Sequence, residues 1–322
     1  MKSIAVLIFA TLLDFIIGDP KNWIHPVQGI GWVISVQTKL IFKLSQNPLI
    51  QRIAGIFLCF FVTFGSAFTA WLSIKVIGRL HPVLGIGLEI ILLASCFALK
   101  SLQDAAKEVI QPLKNQDIIL ARSVLSNYVG RDTANLSESE VLRAVLETVG
   151  ENATDGVMAP LFFAIIGSFI SFLGAVPCAI AYKAISTLDS MVGYREAPYT
   201  YVGWFSARLE DILTWIPCRL TVLTLAIISG KPLQVWEICR RDAPKDPSPN
   251  SGWSECAYAA ILGVQMGGTN WYRGVPKYKP LLGDATNVIN LKSIYKALNL
   301  TRYCFLLWLG GGTSLLLIAL KR

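Results

Sequence analysis

The chain is poor in charge, in histidine and in the familiar nucleotide signatures. Charged residues make up 16% of its 322 residues, where a soluble domain carries about 25%. That shortage argues against an ordinary soluble globule. The two histidines, His25 and His81, stand far apart in sequence, so a histidine-built metal centre is not indicated. The seven cysteines form no CxxC pair and no metal spacing. Cys59, Cys96, Cys178, Cys218 and Cys304 lie in or beside apolar runs and read as small hydrophobes, so a disulfide framework is not expected. The chain has no G-x-x-x-x-G-K-[ST], no G-x-S-x-G, no H-E-x-x-H and no Rossmann fingerprint. Any nucleotide is therefore held by a site of another kind. No segment shows convincing strand alternation, and the expected fold class is all-α.

What the chain has in abundance is oil. It is 53% hydrophobic, with a mean hydropathy of +0.52. Apolar runs fall at roughly 4–17, 53–74, 83–99, 157–182, 212–229 and 303–320, several near the ~20 residues that span a bilayer. The expectation is one integral membrane domain, 1–322. It would be a polytopic helix bundle of about five to six apolar helices with two long helical polar segments, 100–156 and 230–302. Asp14, Gly18, Asp19 and Pro20 stand at the end of the first run where a cleavage site would need small residues, so this run reads as a retained membrane helix. The net charge of +8 is scattered through loops. That suits orientation and anionic lipid, and nucleic acid is not an expected partner.

Both polar segments carry helix signals. Leu102, Ala105, Ala106 and Val109 recur at helical spacing, as do Val141, Leu142, Val145 and Leu146. Ser137 with Glu140 forms a capping box ahead of the second set. Gly230-Lys231-Pro232 stops a helix, a short helix over about 233–241 follows, and an Ala-rich stretch, 255–266, reads as another ended by Gly267-Gly268. His25-Pro-Val-Gln-Gly-Ile-Gly31 resembles His81-Pro-Val-Leu-Gly-Ile-Gly87, which reads as two similar helix starts.

The candidates for chemistry are few. Arg241 to Glu255 crowds Arg, Asp, Lys, Asn and Trp among prolines, giving a stiff loop rich in hydrogen-bonding groups; a plain connector is the alternative. Glu147, Glu151 and Asp155 are spaced four apart and would share one helical face, where a divalent cation is a natural counterion and a solvated acidic face the alternative. Ser186, Asp189, Ser190 and Gly193 share a face after an apolar run, which suits either a ligand or close helix packing. Asp14, Glu89 and Arg219 lie inside apolar runs, where ionisable groups are costly and mark function or internal pairing.

Five motifs occur in a fixed order: Leu13-Asp-Phe-Ile-Ile-Gly-Asp-Pro20 with His25-Pro-Val27, Glu147 to Gly156, Thr187 to Arg195, Arg241-Asp-Ala with Pro247 to Trp253, and Gly267-Gly-Thr-Asn-Trp-Tyr272. In this the chain resembles the CobD/CbiB family of cobalamin biosynthesis, the adenosylcobinamide-phosphate synthases, over about 7–275. Gly150 and Thr269 depart from the expected pattern.

The resemblance implies an ATP-dependent acid–amine ligase. Its partners would be adenosylcobyric acid and aminopropanol or its O-phosphate, with ATP and Mg²⁺ as cofactors and the corrinoid as substrate. Other corrinoid-assembly enzymes are further candidate partners. It implies Glu147, Glu151 and Asp155 for metal, and Asp189, Asp242 and Lys245 for catalysis, the two aspartates as proton acceptors. For substrate it implies Asp19, His25, Asn152, Arg195, Arg241, Ser248, Asn250, Ser251, Trp253 and Asn270, with Trp271 and Tyr272 as flat apolar surface. The expected location is the cytoplasmic (inner) membrane, with the polar motifs facing the cytoplasm and its ATP. A membrane transporter or a corrinoid-binding membrane subunit is the rival class. Six plain crossings would separate 187–195 from the other motifs, whereas a bent hairpin over 157–182 would not.

Overall fold

The computed structural model describes residues 1–19 and 25–321. The chain runs α1 (Lys2–Ile16), α2 (Pro26–Leu44), α3 (Pro48–Leu80), α4 (Pro82–Ala94), α5 (Leu99–Lys114), α6 (Ile118–Leu125) and α7 (Glu138–Asn152). A π-helical turn (Ala153–Met158) leads into α8 (Ala159–Phe169), α9 (Ala175–Val192), α10 (Trp204–Ile228) and α11 (Pro232–Asp242). After a short 3₁₀ turn come α12 (Ser251–Leu262), β1 (Met266–Tyr272), β2 (Val275–Leu282) and α13 (Leu291–Leu320). Contacts divide the chain into two units, Met1–Ala98 with Ala159–Thr214 and Leu307–Arg322, and Leu99–Met158 with Trp215–Leu306.

Among the described residues four helices are long and apolar enough to cross a membrane: Pro48–Leu80, Glu138–Phe169, Trp204–Ile228 and Leu291–Leu320. A fifth span results if α4 and α5, bent by 42°, count as one. The fold is therefore mainly α-helical and membrane-spanning, as its oil content requires. The first apolar run makes a helix of only 15 residues. At 1.5 Å per residue that is about 22 Å, short of a ~30 Å hydrocarbon core.

In the first unit, proline sets the helix starts. Pro26, Pro48 and Pro82 each stand at a first turn, where the missing N–H costs nothing. His25 and His81, the two members of the short repeat, are the residues preceding α2 and α4. Glycine then allows close crossings. A Cβ on Gly85 would stand 2.6 Å from Gly78 Cα, so α3 and α4 touch backbone to backbone. The run 157–182 forms a hairpin of α8 and α9, turning at Gly174 with φ +87°.

The second unit collects the two polar segments. The capping box forms as its spacing predicts, with Ser137 and Glu140 bonded reciprocally at the start of α7. Leu102, Ala106 and Val109 are buried on α5. One expectation is overturned: β1 and β2 form an antiparallel hairpin. Gly267-Gly268 is a bulged strand entry with φ +90° and +95°, not a helix end. Arg273 and Gly274, at φ +52° and +76°, supply the left-handed two-residue turn that hairpins favour. β2 is mostly exposed and holds two prolines, so no period-two burial marks it in the sequence.

Candidate functional site

The second unit brings together three of the motif segments: 147–155, 241–253 and 267–272. Their meeting point is the β1–β2 hairpin, which side chains pin along its length. Asp132 accepts from the Arg273 and Gly274 amides at 3.0 and 2.8 Å and so holds the turn. Asn270 is buried, and its Oδ1 accepts from Arg131 at 3.0 Å and Arg143 at 3.2 Å. Glu147, also buried, accepts from the Gly267 amide at 2.9 Å and from Arg131 Nη2 at 2.5 Å, with Arg143 Nη1 at 3.6 Å. Arg143 also donates to the Gly267 carbonyl.

This changes the reading of the acidic face. Glu147 is spent on two guanidiniums and an amide, so it does not fit a metal. The helical spacing also fails beyond Asn152, where the π-helical turn places Asp155 out of step with α7. Among the described residues no three His, Cys, Asp or Glu side chains are grouped to hold a metal ion. Glu151 is exposed and Asp155 half-buried. Asn152 is exposed and donates to the Thr148 carbonyl.

The proline-rich loop is stitched from within. Buried Asp242 accepts from Arg241 at 2.9 and 2.6 Å, from Lys245 at 2.7 Å and from the Gly283 amide at 3.1 Å. Burial would raise its pKa, but these four bonds prevail and hold the carboxyl down at about 2. A carboxylate so stabilised is a poor proton acceptor, and Asp242 does not suit the general-base role. Arg241 turns its fork on Asp242 and reaches Asp284 at 2.7 Å. Lys245 is likewise paired with Asp242. Ser248 accepts from the Asn250 and Ser251 amides, and Asp246 accepts from Ser248 N–H at 2.9 Å.

The Arg219 guanidinium donates to Asn250 Oδ1 at 2.8 Å and lies over the rings of Trp215 and Trp253, at 4.9 and 5.0 Å from the centroids. Trp236 meets Trp253 at a tilt of 51°, with ring centroids 5.4 Å apart. Tyr272 takes the Lys277 ammonium over its ring, while Trp271 is exposed.

The remaining expected residues belong to the first unit. The Val27 amide donates to His25 Nδ1 at 3.3 Å, which leaves Nε2–H to donate to Asp19 at 3.0 Å. Pro20, the end of that motif, lies outside the described residues. Asp14 is buried on α1, and Glu89 pairs with Lys2 at 2.6 Å. Asp189 stands on the last turn of α9, and Arg195 follows it in the loop to α10. This unit also holds a cavity of about 520 Å³ lined by Trp32, Phe61, Gly65, Thr69 and Leu92 among others. Among the described residues no titratable group lines it.

In the sequence Arg143 stands one turn before Glu147 as a neighbour able to neutralise only the nearest acid, and the structure pairs the two. The sequence offers no site role for Arg131, Asp132, Glu255 or Lys279. Glu255 is fully buried on the second turn of α12, and Lys279 meets both its oxygens at 2.6 and 2.8 Å. Burial raises the Glu255 carboxyl, whereas its closeness keeps the Lys279 ammonium protonated. A lone acid in the apolar run Ser254-Glu-Cys-Ala-Tyr-Ala-Ala260 was the available signal.

The family model described as CobD/Cbib protein matches residues 7–301. The chain belongs to the CobD/CbiB family. It is 54% identical to the cobalamin biosynthesis protein CobD of Synechocystis sp., over 98% of this chain and 92% of that one. It is 44% identical to the CobD protein of Geobacter metallireducens, over 87% and 86%. The cobalamin biosynthesis protein CbiB of Salmonella typhimurium is 39% identical over 97% and 95%. No solved structure matches the chain. The CobD/CbiB match takes in all five motifs and, within the second unit, both strands of the hairpin that joins them.

Proposed function

We propose that this member of the CobD/CbiB family acts in cobalamin biosynthesis as an acid–amine ligase. It joins aminopropanol or its O-phosphate to the carboxylate of adenosylcobyric acid, with ATP driving the step. The observation that carries this reading is the convergence of segments 147–155, 241–255 and 267–279 on one dense set of cations and carboxylates in the second unit.

The chemistry asks for such a set. A carboxylate resists an amine because its charge repels attack and oxide leaves badly. Phosphorylation gives an acyl phosphate, which reacts. The transfer needs cationic groups at the moving oxygens, fixed before the reaction begins. Glu151 and Asp155 are the two carboxylates left for magnesium, a number that suits a cation shared with nucleotide phosphates, whose charge it would neutralise. Asn270 and Glu147 hold Arg131 and Arg143 in place, so these guanidiniums are pre-positioned. Trp253 and Trp236 offer flat surface for the macrocycle, stiffened by the Arg219 stack.

The test is purified protein in detergent with ATP, Mg²⁺, cobyric acid and aminopropanol phosphate. A new amide without a sealed membrane supports the ligase. Uptake into vesicles with no new amide overturns it and favours a transporter. The reading places the active site on the cytoplasmic face of the inner membrane, where ATP is available.

A further inference from the structure

No motif singles out Lys279, yet three motif-bearing segments close on it. Its β2 position pairs with Gly268 of β1. Its ammonium contacts both oxygens of Glu255, which follows the 247–253 motif by two residues. Gly150 backs Glu255 so closely that a Cβ there would stand 3.2 Å from Glu255 Cα. Ser254 fixes the same crossing by donating to the Gly150 carbonyl at 2.6 Å.

The pair is asymmetric. The Glu255 side chain is 0% exposed, while that of Lys279 keeps 25% of its surface. Taking a charge out of water is costly, and in this pair only the Glu255 end bears that cost in full. Here the carboxylate is sealed and the cation is partly open. An ammonium has three donors, and two serve Glu255. The third has no hydrogen-bond partner among the described residues. Exposed Glu151 follows Gly150 directly, and its charge acts on Lys279.

We propose that Lys279 binds an oxyanion of the substrates and that Glu255 is its positioning residue. The inference rests on the ligation proposed above, which offers three oxyanion sources: the corrin carboxylate, the phosphoryl groups of ATP and the phosphate of aminopropanol phosphate. A point charge on a fixed carboxylate suits any of them.

The test replaces both members at once. Glu255→Leu with Lys279→Met leaves no unpaired buried charge, an exchange that proteins commonly tolerate. The double variant is expected to melt near the wild-type temperature in detergent and to lose at least about tenfold in kcat/KM. The substrate whose KM rises, ATP, cobyric acid or aminopropanol phosphate, names the oxyanion. Wild-type kcat/KM for all three substrates in the folded double variant would overturn the assignment.

Should the double variant not fold, Lys279→Arg on intact Glu255 gives the second reading. It keeps a cation and changes its reach, so one KM is expected to rise with melting unchanged. Three unchanged KM values would overturn the assignment. A wild-type protein that makes no amide would contradict the ligation alone. Equilibrium dialysis of ATP, of cobyric acid and of aminopropanol phosphate against each variant then decides for Lys279. Weaker binding of one supports the proposal, and equal binding of all three overturns it.

Discussion

Glu147 accepts the amide of Gly267 at 2.9 Å across 120 residues of chain. The same carboxylate meets Arg131, so one buried acid fixes the strand entry and neutralises a guanidinium. The sequence spacing had offered Glu147, Glu151 and Asp155 as one metal set. The structure separates Glu147 from the other two by its partners.

That separation is testable with two conservative variants. Glu147→Gln breaks a buried ion pair, which typically costs about 3–5 kcal/mol. It is expected to lower the melting temperature and the yield of folded protein. Glu151→Gln and Asp155→Asn are expected to leave melting near wild type and to raise the Mg²⁺ concentration needed for half-maximal rate. If Glu151→Gln and Asp155→Asn both keep the wild-type Mg²⁺ dependence, neither residue holds the metal.

Asp242 gives a pH prediction. Its carboxyl is depressed from 3.8 to about 2 by Arg241, Lys245 and the Gly283 amide against the effect of burial. A depressed folded-state pKa stabilises above the unfolded value and loses that contribution as pH falls through the folded one. The contribution is about 2 kcal/mol at neutral pH. Asp242→Asn should therefore be less stable than wild type above pH 4, with the gap closing between pH 4 and 2. Denaturation followed across that range checks it; a gap that does not depend on pH would contradict the assignment.

The seven cysteines supply a third check. Six are buried and Cys178 is half-buried. Burial, together with the neighbouring Cys256, raises the Cys239 thiol. Native protein treated with a hydrophilic maleimide should therefore take up label at Cys178 at most, and a denatured sample at all seven. A cysteine at exposed Ser126 should restore rapid labelling. Fast native labelling of Cys239 or Cys256 would mean that the packing of α11 against α12 is wrong.

Local signals were legible where one element decides its own structure. The Ser137–Glu140 box, the proline starts at Pro26, Pro48 and Pro82, and the long apolar helices all read directly from the chain. The hairpin did not, because Gly267-Gly268 serves helix ends and strand bulges alike and β2 is nearly all exposed. The site was legible as motifs and illegible as pairings. Arg131 meets Glu147 and Asn270 only once the polar segments fold together. Lys279 sits in a stretch with no distinguishing pattern, and its importance comes from Glu255.

The most direct measurement follows oxygen. Cobyric acid carrying ¹⁸O in both oxygens of the reacting carboxylate is incubated with the purified protein, ATP, Mg²⁺ and aminopropanol phosphate. The account predicts an amide that keeps one ¹⁸O and inorganic phosphate that gains the other, because phosphate leaves from an acyl phosphate. Recovery of unreacted cobyric acid with both labels in place, and no labelled phosphate, would contradict it.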